Sequence, residues 1–95
     1  MELAMIGLGK MGLNMATRLA RGGHRVIGYA RTPATVEEAV KLGAEGAHSL
    51  KEVVSKLKAP RIVWLMVPAG QVTDDTIQEL STLLSNGDVV IDGGN

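Results

Sequence analysis

The chain has no cysteine and no phenylalanine, and only one tryptophan and one tyrosine. Without cysteine there is no disulfide framework, no thiolate metal site and no cysteine nucleophile. With only these two aromatic side chains there is no platform on which nucleic-acid bases would stack, and ten basic residues offset by ten acidic ones leave no cationic surface for phosphates along a strand. Nucleic acid is therefore not an expected partner. The two histidines, His24 and His48, lie far apart without metal-ligand spacing and read as surface turn residues, so no metal is expected. Long apolar runs are also missing: the longest, residues 62–68, is too short to span a bilayer, and Glu2 stands where a signal peptide would carry positive charge. A cytoplasmic location without membrane attachment is the resulting expectation. With 45% hydrophobic residues over 95 positions, and no linker, repeat or low-complexity stretch, the chain reads as one small domain with a buried core.

Glycine, by contrast, is plentiful, and three of the twelve fall in the run Gly7-Leu8-Gly9-Lys10-Met11-Gly12. This run follows the apolar residues 3–6 and opens a helical pattern, the context in which a GxGxxG turn binds the pyrophosphate of a dinucleotide. One glycine makes the tight turn, the second lets the backbone approach the phosphates, and the third lets the helix pack close to the strand. The helix N-terminus adds unpaired N–H groups and partial positive charge.

Strand and helix patterns alternate along the rest of the chain. Strands are expected at residues 3–6, 25–29, 45–47, 62–67 and 88–92, the fourth being a continuous apolar run suited to a strand covered on both faces. A helix over 10–21 places Met11, Met15 and Leu19 on one face as core residues, and Gly22-Gly23 ends it. Thr32-Pro33 supplies an N-cap and first-turn proline for a helix with Val36, Ala39 and Val40 inward. Ser49-Leu50-Lys51-Glu52 is a capping box opening a helix that buries Val53, Val54 and Leu57, and a fourth helix over 73–84 turns Ile77, Leu80 and Leu84 inward. The expected fold is α/β: a doubly wound parallel sheet of Rossmann type, order 3-2-1-4-5, with helices on both faces.

In such a fold the residue ending the second strand reads the adenosine ribose, and a carboxylate there repels a 2′-phosphate. Here that place, about twenty residues beyond the glycine turn, is taken by Ala30, followed by Arg31 and Thr32. Arginine pairs with a phosphate through two N–H bonds or stacks on adenine, and the Thr32 hydroxyl adds a further donor, so the local chemistry favours NADP over NAD. Ligands gather at the carboxyl edge of these sheets, which brings in Val67-Pro68-Ala69-Gly70 after the fourth strand and Gly93-Gly94-Asn95 after the fifth. Asn95 offers a donor and an acceptor where substrate meets nicotinamide; Asp92 reads as structural.

Taken in order, Ile6-Gly7-Leu8-Gly9-Lys10-Met11-Gly12, Ala30-Arg31-Thr32, Trp64-Leu65-Met66-Val67-Pro68-Ala69-Gly70 and Ile91-Asp92-Gly93-Gly94-Asn95 resemble the N-terminal domain of the decarboxylating 6-phosphogluconate dehydrogenases. The ending Asp92-Gly93-Gly94-Asn95 separates this resemblance from the related 3-hydroxyisobutyrate-type β-hydroxyacid dehydrogenases, the alternative enzyme class; a non-catalytic nucleotide-binding module is the other. The resemblance implies oxidation of 6-phosphogluconate, a sugar phosphate, at carbon 3 by hydride transfer to nicotinamide, followed by decarboxylation to ribulose 5-phosphate. It implies that residues 7–12 hold the pyrophosphate, 30–32 read the adenosine end, Val67, Pro68 and Ala69 line the cofactor, and Asn95 touches both cofactor and substrate. Two positions depart from the NADP-using members: Ala30 stands in place of their asparagine and Pro68 in place of their lysine, and shorter bacterial forms with that proline often use NAD. By the same resemblance, residues 1–95 are the NAD(P)-binding domain, while the catalytic lysine and general-acid glutamate, and the helical domain that makes a homodimer, lie outside this chain.

Overall fold

Five short segments rich in Val, Ile, Leu and Met pair side by side in the computed structural model, which describes residues 1–67 and 70–93. Pro68, Ala69 and Asn95, named above as cofactor contacts, lie outside the described residues, as does Gly94. In chain order the elements are β1 (Glu2–Ile6), α1 (Lys10–Arg21), β2 (Arg25–Tyr29), α2 (Pro33–Lys41), β3 (Glu45–Gly46), α3 (Leu50–Lys56), β4 (Ile62–Leu65), α4 (Gln71–Leu83) and β5 (Val89–Asp92). The strands form one parallel sheet in the order β3-β2-β1-β4-β5, the expected topology.

The two-residue alternation of each strand divides its side chains between two cores. Ala4 and Ile6 of β1, Ile27 of β2 and Val63 and Leu65 of β4 join Leu50, Val53, Val54 and Leu57 from the α3 segment and Leu80 of α4. Leu3, Met5 and Val26 point the other way, onto Leu8, Ala16 of α1 and Val36 and Ala39 of α2. Because β1 is central and covered on both sides, Met5 and Ala4 are both fully buried. β5 is an edge strand and is covered least: Val89 is 48% exposed and Val90 38%.

The expected helices all form, with informative shifts. Met11 is 68% exposed rather than in the core, because it sits in the first turn of α1, beyond the edge of the sheet; Met15 and Leu19, further down the helix, are partly buried against it. Val40 is 47% exposed because it packs over β3, the short edge strand, where a Cβ built on Gly46 would stand 3.0 Å from its Cγ2. α4 begins at Gln71, two residues earlier than expected, and buries Thr73 and Leu80 while Ile77 is 41% exposed. The threonines can face inward because a helical threonine satisfies its own hydroxyl, as Thr76 does by donating to the Val72 carbonyl at 2.7 Å. In the α3 cap, Ser49 Oγ accepts from the Glu52 N–H at 3.0 Å, but the Glu52 carboxylate reaches the N–H of His48, at 2.7 Å, one residue earlier than a reciprocal box requires.

The amino-terminal end of the sheet, remote from the glycine turn, is tied by Arg25. Its guanidinium donates to Glu45 of β3 at 2.5 and 3.1 Å, to Glu2 of β1 at 2.7 Å and to the Lys56 carbonyl of α3 at 2.8 Å. Glu2 also accepts from the Lys58 N–H at 2.7 Å. A second tie enters β5: Asp88 accepts from the Arg61 N–H at 2.5 Å, from the Arg61 side chain at 3.1 Å and from the Ser85 N–H at 2.8 Å.

Candidate functional site

The carboxyl end of β1 runs directly into the glycine turn, and each glycine there has a different reason to be one. Gly7 adopts φ +97°, and a Cβ on it would stand 2.6 Å from the carbonyl oxygen of Met66. A Cβ on Gly12, inside α1, would be driven into the carbonyl oxygen of Gly7, so only glycine lets the helix pack this closely on the turn. Gly9 differs: nothing lies within 4 Å of where its Cβ would be. The fold does not need that position empty, and the open space lies at the N-cap of α1.

Two hydrogen bonds seat the turn on its neighbours. Gly7 N–H donates to the Tyr29 carbonyl at 2.8 Å and Met66 N–H to the Ile6 carbonyl at 2.7 Å, aligning the ends of β1, β2 and β4. The Gly9 carbonyl accepts from Leu13 N–H at 2.8 Å, which starts the helix and leaves the first-turn N–H groups pointing outward. No acidic residue stands in that turn, and Lys10 does, so the positive end of the helix is reinforced.

These groups open onto a cavity of about 740 Å³. One wall is the turn itself, with Ile6, Gly7, Gly9, Lys10, Met11 and Gly12. Another is the end of β2, with Tyr29, Ala30 and Arg31; a third is Val72, Asp75, Thr76 and Glu79 along α4, with Leu50 at the start of α3; Met66, Val67 and Gly93 close the remaining side. The size suits a dinucleotide or a large part of one. Of the residues expected from sequence, Gly7, Gly9, Lys10, Met11, Gly12, Ala30, Arg31 and Val67 are thus brought together around one space. Leu8 is placed differently: its side chain is buried in the core among Leu3 and Met5, leaving only its backbone to the turn. Thr32 occupies the N-cap of α2 without a side-chain capping bond and is exposed beside the cavity's Arg31 rather than lining it.

The α4 wall was not legible in the sequence. Val72, Thr76 and Glu79 recur at helical spacing, but any surface helix offers such a stripe, and only the fold, which sets α4 across the cavity from the residues after β2, gives this one a cavity to face. On the opposite side, Gly93 packs against the indole of Trp64, where a Cβ would collide with Nε1 and lie 3.1 Å from Met66 Sδ. No helix among the described residues is long and apolar enough to cross a membrane.

A cradle with open space at Gly9, outward N–H groups and cations at Lys10 and Arg31 fits a pyrophosphate-bearing dinucleotide. Comparison with known proteins points the same way. Residues 2–95 match a family model described as the NAD binding domain of 6-phosphogluconate dehydrogenase. The chain is 48% identical over 99 aligned positions to a decarboxylating 6-phosphogluconate dehydrogenase of Drosophila melanogaster, covering 99% of this chain and 21% of that protein. It is 41% identical over 95 residues to an NAD(+)-dependent decarboxylating enzyme of the same name from Haloferax volcanii, covering 100% of this chain and 32% of the relative. The chain thus spans less than a third of the length of either. Among solved structures, 6-phosphogluconate dehydrogenase of Plasmodium falciparum, described with its cofactor NADP+ and its substrate 6-phosphogluconate, superimposes with a TM-score of 0.90 at 30% identity, over 98% of this chain and 21% of that one.

Proposed function

Because this chain belongs to the family of the NAD binding domain of 6-phosphogluconate dehydrogenase, we propose that it is the dinucleotide-binding part of an oxidoreductase that decarboxylates 6-phosphogluconate to ribulose 5-phosphate with NADP. The observation that carries the reading is the glycine turn: two glycines are forced by backbone contacts, whereas Gly9 guards open space at a helix N-terminus. The N–H groups of the first turn of α1 and Lys10 hold the pyrophosphate, and Arg31 with Thr32 receives the adenosine 2′-phosphate. Val67, Pro68 and Ala69 line the cofactor, and Asn95 orients substrate against it. The nicotinamide, when bound, supplies the hydride acceptor.

Hydride transfer also needs a base within reach of the substrate hydroxyl. Lys10 is assigned to phosphate, and by the family resemblance the lysine and glutamate that move protons belong to the part of the relatives that this chain does not span. The intact protein is read as a cytoplasmic homodimer joined through that missing helical part. NAD is the second cofactor to test, since Ala30 places no carboxylate against a 2′-phosphate but the Haloferax relative is NAD(+)-dependent.

Calorimetric titration of the 95-residue chain with NADP and NAD tests the binding, and the absorbance of reduced cofactor in the presence of 6-phosphogluconate tests the chemistry. Binding that favours NADP, with no reduction above a blank, is expected. Failure to bind either dinucleotide refutes the assignment.

A further inference from the structure

The phosphates of a dinucleotide call for cations, yet one wall of the cavity is acidic. Val72, Asp75, Thr76 and Glu79 line it from α4, so two acidic residues border the same space as Lys10 and Arg31. Asp75 is engaged, accepting from Gln71 Nε2 at 2.7 Å. Glu79 is exposed; its backbone carbonyl accepts from the Thr82 hydroxyl at 2.7 Å, but its carboxylate, among the described residues, has no hydrogen-bond or ion-pair partner. A carboxylate placed in a phosphate-binding cleft without a partner weakens binding, unless the ligand brings a donor to it.

Position along the helix says which donor. α4 follows β4, so its first turn lies at the carboxyl edge of the sheet, beside the glycine turn, and the helix runs back from there. Glu79 stands about 10 Å further along the axis than Val72. It is therefore the lining residue of α4 most distant from the pyrophosphate cradle. Arg31, Leu50, Val72 and Glu79 line the same cavity, so a ribose held by Arg31 directs its base toward the α4 wall and its apolar residues. Adenine has one strong donor on its outer edge, the exocyclic amino group. A carboxylate is acceptor-only, so it accepts from that amino group and repels a carbonyl in its place.

We propose that Glu79 is a specificity-determining residue that reads the base of the dinucleotide, accepting a hydrogen bond from the adenine amino group and discriminating against hypoxanthine. The assignment rests on the dinucleotide reading above, and the test separates the two. Dissociation constants are measured by calorimetry for the 95-residue chain with NADP and with its deaminated analogue, in which hypoxanthine replaces adenine. The wild type is expected to prefer adenine by about tenfold or more, the range of one hydrogen bond to a charged group. Glu79→Gln and Glu79→Ala, both at an exposed helical position that tolerates them, are expected to bring the two affinities within about threefold of each other. Glutamine does so by turning its amide to suit either base, alanine by offering neither partner.

Equal affinity of the wild type for both bases overturns the role of Glu79 while leaving the dinucleotide site standing. A rise in affinity for both bases by the same factor in either variant also overturns it, because that is the signature of a charge acting on phosphates alone. Binding of neither compound by the wild type removes the dinucleotide reading itself, and this assignment with it.

Discussion

At the scale of single residues, the three glycines of the turn separate folding from binding. Gly12→Ala puts a methyl group into the Gly7 carbonyl and is expected to cost about 1–3 kcal/mol, read as a lower urea midpoint with an unchanged slope. Gly9→Ala meets no atom within 4 Å and should cost less than about 1 kcal/mol, the scale of an N-cap change, yet weaken dinucleotide binding because the methyl group occupies the phosphates' approach. Similar stability losses in both variants, with binding untouched in Gly9→Ala, would argue against the cradle. Arg31 is the other residue with a separable signature. Arg31→Ala should weaken NADP by tenfold to a hundredfold, about 1.5–3 kcal/mol for a charge-assisted contact, and NAD much less. An equal loss for both cofactors in calorimetry would place Arg31 on the adenine face instead of the 2′-phosphate.

At the scale of elements, the sequence was most legible where periodicity and punctuation agreed. α1 and β2 fall at the expected bounds because Gly22-Gly23 stops the helix and, after His24 and Arg25, the apolar pair Val26-Ile27 resumes the strand pattern. It was least legible where neighbours decide: Val40 and Ile77 fit their helical faces by spacing, but β3 is too short to cover Val40, and α4 buries Thr73 and Leu80 while Ile77 stays exposed. The Arg25 tie was invisible in the sequence because it joins Glu2, Glu45 and Lys56, which only the sheet brings together. It predicts an acid limb of stability. Glu2 is held below its usual 4.5 first by the Lys58 N–H and then by Arg25, and Glu45 below the same value by the Arg25 hydrogen bond. Since these carboxylates give up their protons more readily in the folded chain, their contribution is present above pH 4.5 and is lost as pH falls through the lowered folded values. The urea midpoint should therefore drop on the acid side of 4.5, and Glu45→Gln should shallow that drop. A midpoint whose acid limb is the same in the variant would remove Glu45 from the cause.

For the whole molecule, the order β3-β2-β1-β4-β5 was readable because right-handed crossovers and a cofactor crevice beside β1 leave few alternatives. What the pattern could not convey is how unevenly the sheet is protected. β1 lies between two cores, and Ala4 and Met5 are 0% exposed, whereas the faces of β5 at Val89 and Val90 meet solvent. Amide exchange should accordingly be slowest in β1 and the facing residues of β2 and β4, and fastest among the strands in β5 and the two-residue β3. Uniform protection across the five strands would mean that the sheet opens only as a unit.

The packing of Gly93 on Trp64 gives the chain a built-in optical reporter. Trp64 is the only tryptophan in the sequence, so all indole emission comes from one place, and its ring touches the residue that closes one side of the cavity. A dihydronicotinamide absorbs in the band where indole emits, so occupation of the cleft registers as quenching by energy transfer from a single donor. The wild-type chain needs no label for such a titration.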